Sequence, residues 1–185
     1  MNRMQLMKAH VLLAAFILPI ALMFIITGAL YTWDVKGSYN NTTYDIPLDA
    51  PLKQDAGDLA DFATRELEKL NTSPPEGKPQ LKVYGEHFLL EWSGSSKDII
   101  LEPTKNELIA SLTVKQTTWY RNLVQLHKAK GGVAFKIYAV IFSLALIFLL
   151  VSGFLMAFQT PQLKKMALSM SLVGIISFII FVFIS

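Results

Sequence analysis

The chain has 185 residues, 52% of them hydrophobic, no cysteine and a formal net charge of +3. The missing cysteines exclude disulfides, thiolate metal sites and Cys nucleophiles, and a mean hydropathy of +0.41 exceeds what a soluble domain of this size needs. The basic pI of about 9.0 gives no support to nucleic-acid binding, because the Lys and Arg residues form no recognition motif and adjoin apolar runs.

Residues 1–33 form an N-terminal segment and a first transmembrane helix. Val11 to Trp33 is a run of 23 residues without a charge, and about 20 apolar residues span the hydrocarbon core. The run is longer than a signal-peptide core and lacks a clean small-x-small cleavage site before Asp34, so it reads as an uncleaved anchor. Pro19 lies within it, where a bundle can re-satisfy the freed carbonyl. Residues 34–54, with Asn40-Asn41-Thr42-Thr43, Pro47 and Pro51, read as a polar linker.

Residues 55–114 read as a small α+β domain. Leu59, Phe62, Ala63, Leu67 and Leu70 make one apolar stripe on a helix over 55–70, with Asp55 and Asp58 at its positive end. "NTSPPEGKP" ends it. Strand-like runs follow at 81–86, which could continue into 87–92, then at 97–103 and 107–114, separated by "SGSS" and a "TKNE" turn. One helix on an antiparallel sheet is the expected fold. His87 is expected as a half-buried strand histidine, and Glu86 and Glu91 as solvated strand-edge carboxylates. No phosphate cradle, nucleophile elbow or zinc-protease motif is present in the sequence, so a non-enzymatic domain is expected.

Residues 115–132 are a basic amphipathic interfacial helix. At 100° per residue, Trp119, Tyr120, Leu123, Val124, Leu126 and His127 share one arc, with Arg121, Asn122, Gln125 and Lys128 opposite. Trp119, Tyr120 and Leu123 suit the headgroup level, and Arg121, Lys128 and Lys130 can reach lipid phosphates. Membrane lipids are thus expected partners. His127 is either an interfacial residue hydrogen-bonded to the domain or lipid, or a haem ligand.

Residues 133–158 are the second transmembrane helix, 159–165 a cytoplasmic loop with Lys164 and Lys165, and 166–185 the third transmembrane helix, which reaches Ser185 with almost no tail. None of the three apolar cores carries Asp, Glu, Lys, Arg or His, which argues against a pump or transporter. All 14 acidic residues lie between Asp34 and Glu107 against eight Lys/Arg there, while Lys115 to Lys136 carries five Lys/Arg and no acid. Arg3, Lys8, Lys164 and Lys165 place the N-terminus in the cytoplasm and the acidic domain outside. Thr27-Gly28, Ser152-Gly153 and Gly174 are candidate helix-packing positions, since small residues let helices approach.

The stretch from "DIILEP" to "HKAKGG" resembles the end of a PepSY domain leading into a PepSY-associated transmembrane helix. Glu102 to Glu107 resembles the family's acidic turn, with Asn106 where glycine is usual and where left-handed backbone would be tolerated. Leu126-His127 matches the pair that opens the membrane helix, and Ser152-Gly153 the pair near its far end. His10 and Thr27-Gly28 match the first helix, and "TGALYTW" (27–33) echoes "SGFLMAF" (152–158). With the three apolar runs as transmembrane helices, the resemblance implies a PepSY-like α+β domain between the first and second, and the three spans depart from the larger reductase-like members, which have four or more. It implies either a non-catalytic binding or accessory module of the bacterial cell envelope, docking a partner membrane protein or a second copy, or a haem-b electron-transfer subunit linked to ferric-siderophore reduction. In the haem reading His10 and His127 are the ligands. A helix of 23 residues is about 35 Å long, which sets the two histidines at opposite faces, so a single haem held by both is not expected.

Overall fold

A computed structural model describes residues 2–85 and 87–184. Glu86, expected at a strand edge, and Ser185, expected at the end of the third span, lie outside the described residues. Among the described residues three helices are long and apolar enough to cross a membrane, α1 (Arg3–Thr32), α4 (Val133–Phe158) and α5 (Pro161–Ile184), and a five-stranded antiparallel sheet with a helix lies between the first two in the chain. The chain divides into two compact units, one comprising residues up to Ala21 with Ala139 onward, the other Leu22–Tyr138.

In the second unit the sheet contains β1 (Tyr39–Pro47), β2 (Pro79–Tyr84), β3 (His87–Ser93), β4 (Lys97–Pro103) and β5 (Ile109–Thr117), in the order β1-β5-β4-β3-β2. α2 (Ala56–Lys69) starts where expected, because Asp55 accepts hydrogen bonds from the Gly57 and Asp58 amides at 2.8 and 2.9 Å. Its buried Leu59, Ala63 and Leu67 fall at helical spacing and meet Leu90, Ile99, Leu101, Ala110, Leu112 and Val114. Those strand residues alternate, so the sheet turns one face to α2. Each fully buried leucine is worth about 1.5–3 kcal/mol.

Five expectations are corrected. Residues 39–47 are not linker but the edge strand β1, paired with β5 from Tyr39↔Thr117 to Pro47↔Ile109. Its polar Asn-Asn-Thr-Thr stretch hid the strand, and polar edges are how sheets avoid further pairing. The run at 81–92 is not continuous: Gly85 takes φ +64° and a hairpin pairs Tyr84 with His87. The helix expected over 115–132 is α3 (Trp119–His127), since Lys115 to Thr117 belong to β5. The loop expected at 159–165 is shorter, because α5 begins at Pro161 and carries Lys164 and Lys165 as its fourth and fifth residues. Asn106 is not left-handed either. Its side chain accepts from the Leu108 amide at 3.1 Å, and that bond shapes the turn.

Candidate functional site

α3 follows β5 directly, through Thr118, whose backbone N–H donates to Ser38 O. The helix is amphipathic as the sequence implies, but its polar side faces protein. Arg121 Nη1 donates to Lys36 O at 3.1 Å and Nη2 to Tyr39 Oη at 2.8 Å, with the guanidinium 4.6 Å from the Tyr39 ring centroid. Asn122 Nδ2 donates to Ser95 O at 3.0 Å. Gln125 is fully buried and its Nε2 donates to Tyr39 Oη at 3.0 Å and to Asp98 Oδ2 at 3.2 Å. Arg121, expected to reach lipid phosphate, is therefore committed to the domain.

Tyr39 and Asp98 complete this polar cluster. Tyr39 Oη donates to Asp98 Oδ2 at 2.7 Å, and Asp98 Oδ1 accepts from the Gly94 amide at 3.1 Å. Burial first, and then the bond to Asp98, push the Tyr39 phenol up to about 12. These residues sit on the sheet face opposite α2, as the pleat requires. The sequence reading missed them. The available signal was Asp98 inside the apolar strand "KDIIL", because a carboxylate beside core positions needs partners.

Other residues expected at the membrane interface lie elsewhere on α3 and just after it. Trp119 is 78% exposed, Leu123 is half-buried and Lys128 is exposed. Tyr120 is half-buried and donates its hydroxyl to Val35 O at 3.1 Å. Lys128 Nζ lies 5.6 Å from the Tyr31 ring centroid.

The two histidines singled out by the sequence each meet one of the two small-residue pairs. In the second unit His127 Nδ1 lies 2.7 Å from Thr27 Oγ1, and its ring sits 4.8 Å from that of Phe24. In the first unit His10 Nδ1 lies 2.8 Å from Ser152 Oγ. Thr27 and Ser152 are each 2% exposed. Thr27 Oγ1 donates its one proton to Met23 O at 2.6 Å, and Ser152 Oγ donates to Leu149 O at 3.1 Å. Each hydroxyl therefore accepts from Nδ1–H, and Nε2 carries the lone pair of the neutral ring.

Gly28 makes room for its ring, since a Cβ there would come 3.3 Å from His127 Cε1, whereas one at Gly153 would make an ordinary contact, 3.8 Å from His10 Cε1. The "[ST]-G" echo thus marks two copies of one arrangement, a histidine held at a hydroxyl over a glycine. The residues matching the PepSY pattern are the ones so engaged, and the whole of residues 1–159 matches the family described as PepSY-associated TM region.

The chain belongs to the PepSY-associated TM region family. No curated protein and no solved structure matches it significantly. The family match covers α1, the α+β domain, α3 and α4, and stops before α5 (Pro161–Ile184). Gly174, expected at a helix contact, lies on α5, and among the described residues a Cβ there would meet nothing within 4 Å beyond its own helix backbone. His87, expected to be half-buried, is exposed, with Nε2 3.4 Å from Glu102 Oε2. Glu91 is half-buried rather than solvated, and the ammonium of Lys82 paired with it holds its carboxyl below the usual range. No cluster of three or more His, Asp or Glu suited to a metal ion occurs among the described residues.

Proposed function

We propose that this PepSY-associated protein is a non-catalytic accessory module of the bacterial inner membrane, with its N-terminus cytoplasmic and its acidic domain in the periplasm. In this reading the domain binds at the envelope while the helices dock a partner membrane protein or a second copy. The supporting observation is α5, an apolar helix of 24 residues that buries none of them within the chain. Its Gly174 offers a bare backbone to a neighbouring helix.

The cysteine-free chain allows a direct test. A photo-crosslinker placed at Gly174 should give one discrete protein adduct in native membranes; adducts to lipid alone would overturn the docking role. Lys105→Cys should react with a membrane-impermeant maleimide from the periplasmic side, and Lys164→Cys should not. The reverse pattern would invert the orientation.

A second reading, haem-b electron transfer, is favoured by the imidazole geometry. Metal-ligating histidines characteristically have one nitrogen oriented by a hydrogen bond while the other ligates. His10 and His127 fit that pattern singly, each with Nδ1 on a hydroxyl. Each could hold a haem through its Nε2, and a further ligand would come from another copy or partner. Haem b, when bound, supplies a one-electron couple. A reduced-minus-oxidised spectrum of detergent-purified protein from haem-replete cells decides it: a Soret difference lost in both His10→Ala and His127→Ala supports this reading, and a colourless preparation removes it.

A further inference from the structure

α3 ends in a left-handed residue, Ala129, at φ +58°. The Ala129 amide donates to Leu126 O at 3.0 Å and the Lys130 amide to Gln125 O at 3.0 Å, so the helix closes in a tight C-terminal motif. The chain then turns through Gly131-Gly132 into α4. Beneath this corner lies a cleft of about 240 Å³, with walls from Gly77, Lys78, Gln80, Glu91, Ser93, Ala129, Lys130 and Lys136.

Its far wall is fixed. The Gly77 amide donates to Ser93 O at 3.1 Å, and Trp92 Nε1 donates to Gly77 O at 2.8 Å. A Cβ at Gly77 would lie 2.1 Å from Ser93 O, so only glycine permits this approach.

Three ammonium groups line the cleft, and among the described residues Lys78, Lys130 and Lys136 form no ion pair. The one carboxylate, Glu91, is already paired with Lys82. Lys130 also acts on that carboxylate, and the Ser93 hydroxyl donates to it at 3.4 Å. Three lysines against one carboxylate still leave the cleft net positive, with the Gln80 amide as a further donor. It is smaller than the roughly 300–1,000 Å³ typical of small-molecule sites, which suits a compact oxyanion. Lys136 sits in the first turn of α4, immediately before the charge-free run from Ile137 to Phe158. A lysine at that boundary of a membrane span lies at headgroup depth.

We propose that this cleft binds phosphate, in the form of an anionic phospholipid headgroup, through Lys78, Lys130 and Lys136. The site would seat the α3–α4 corner on the membrane and fix the height of the domain above it. It gives the expected lipid partner a defined place and does not depend on partner docking or on haem. A lysine near an anionic surface contributes roughly fivefold to binding.

The test uses the full chain in a neutral detergent, titrated with short-chain phosphatidylglycerol, short-chain phosphatidylcholine and inorganic phosphate. Phosphatidylglycerol is expected to bind at least tenfold more tightly than phosphatidylcholine. The Lys78→Gln/Lys130→Gln/Lys136→Gln variant should lose that preference. The corresponding triple arginine variant and Lys164→Gln/Lys165→Gln should retain it, which separates loss of the site from loss of fold or of net charge. Saturable inorganic phosphate binding with no lipid preference, lost in the triple glutamine variant, would keep the phosphate site and overturn its assignment to lipid. Equal binding by wild type and the triple glutamine variant, or no binding of any probe, would overturn the site itself.

Discussion

Gln125 on α3 and Asp98 on β4 meet inside the domain, Nε2 to Oδ2 at 3.2 Å, with Gln125 fully buried and Asp98 7% exposed. Asp98 also accepts from Tyr39 and the Gly94 amide. It is therefore the acceptor on which β1, β4 and α3 converge. Removing it leaves several donors unsatisfied, and each costs about 1–3 kcal/mol when buried. Asp98→Ala should destabilise the protein by roughly 2–4 kcal/mol, and Asp98→Asn by less. Thermal unfolding of the detergent-solubilised chain checks this; an unchanged midpoint in Asp98→Ala would show that the cluster is incidental.

Tyr39 supplies a spectroscopic handle on the same cluster. Its phenol is pushed up to about 12 from an ordinary value near 10. The protonated phenol is thus favoured in the folded state. Its contribution is fully present below pH 10 and is lost as pH rises from about 10 to about 12, where an unfolded tyrosine would already have ionised. Of the six tyrosines, Tyr39 should titrate late in the absorbance band near 295 nm. Tyr39→Phe should remove that late step and leave the others. Persistence of the step in Tyr39→Phe would assign it elsewhere.

Periodicity made the long helices and the α2 core legible in the sequence: uncharged runs specify spans, and Leu59, Ala63 and Leu67 specify a buried stripe. β1 was not legible, because an edge strand with Asn and Thr outward reads as linker until β5 is there to pair with it. The orientation of α3 was half legible. Its wheel separates polar from apolar residues, but does not say that Arg121, Asn122 and Gln125 face Lys36, Tyr39, Ser95 and Asp98 instead of water. Long-range partners decide that, and those partners lie 27 to 86 residues away. His10, His127 and the two small-residue pairs were all visible individually. Their pairing required the fold.

The imidazole arrangement predicts a definite tautomer. His127 donates from Nδ1 to Thr27, whose own proton goes to Met23 O. In ¹⁵N-histidine spectra, the resonance assigned by its loss in His127→Gln should report protonation at Nδ1 for the neutral ring. Thr27→Val keeps the shape and deletes the acceptor, and should shift that ring toward the Nε2–H form or a mixture. Ser152→Ala should do the same at His10. A wild-type ring protonated at Nε2 would contradict the hydroxyl arrangement and with it the favourable geometry for Nε2 ligation.

Gly28 and Gly153 should respond oppositely to the same substitution. Alanine in a helix interior is favoured over glycine by about 1 kcal/mol, so an alanine with room to spare stabilises. At Gly153 the new Cβ would sit 3.8 Å from His10 Cε1, an ordinary contact. Gly153→Ala should therefore be neutral or stabilising by up to about 1 kcal/mol. At Gly28 the separation from His127 Cε1 would be 3.3 Å. That ring is bonded to Thr27 on the adjacent position, so relief requires lengthening the Nδ1–Oγ1 bond. Losing part of a buried hydrogen bond outweighs the helix gain, and Gly28→Ala should destabilise by roughly 1 kcal/mol. Thermal midpoints of the two variants, measured in one detergent, provide the comparison. If Gly28→Ala is as stabilising as Gly153→Ala, the histidine at residue 127 is not seated against that glycine.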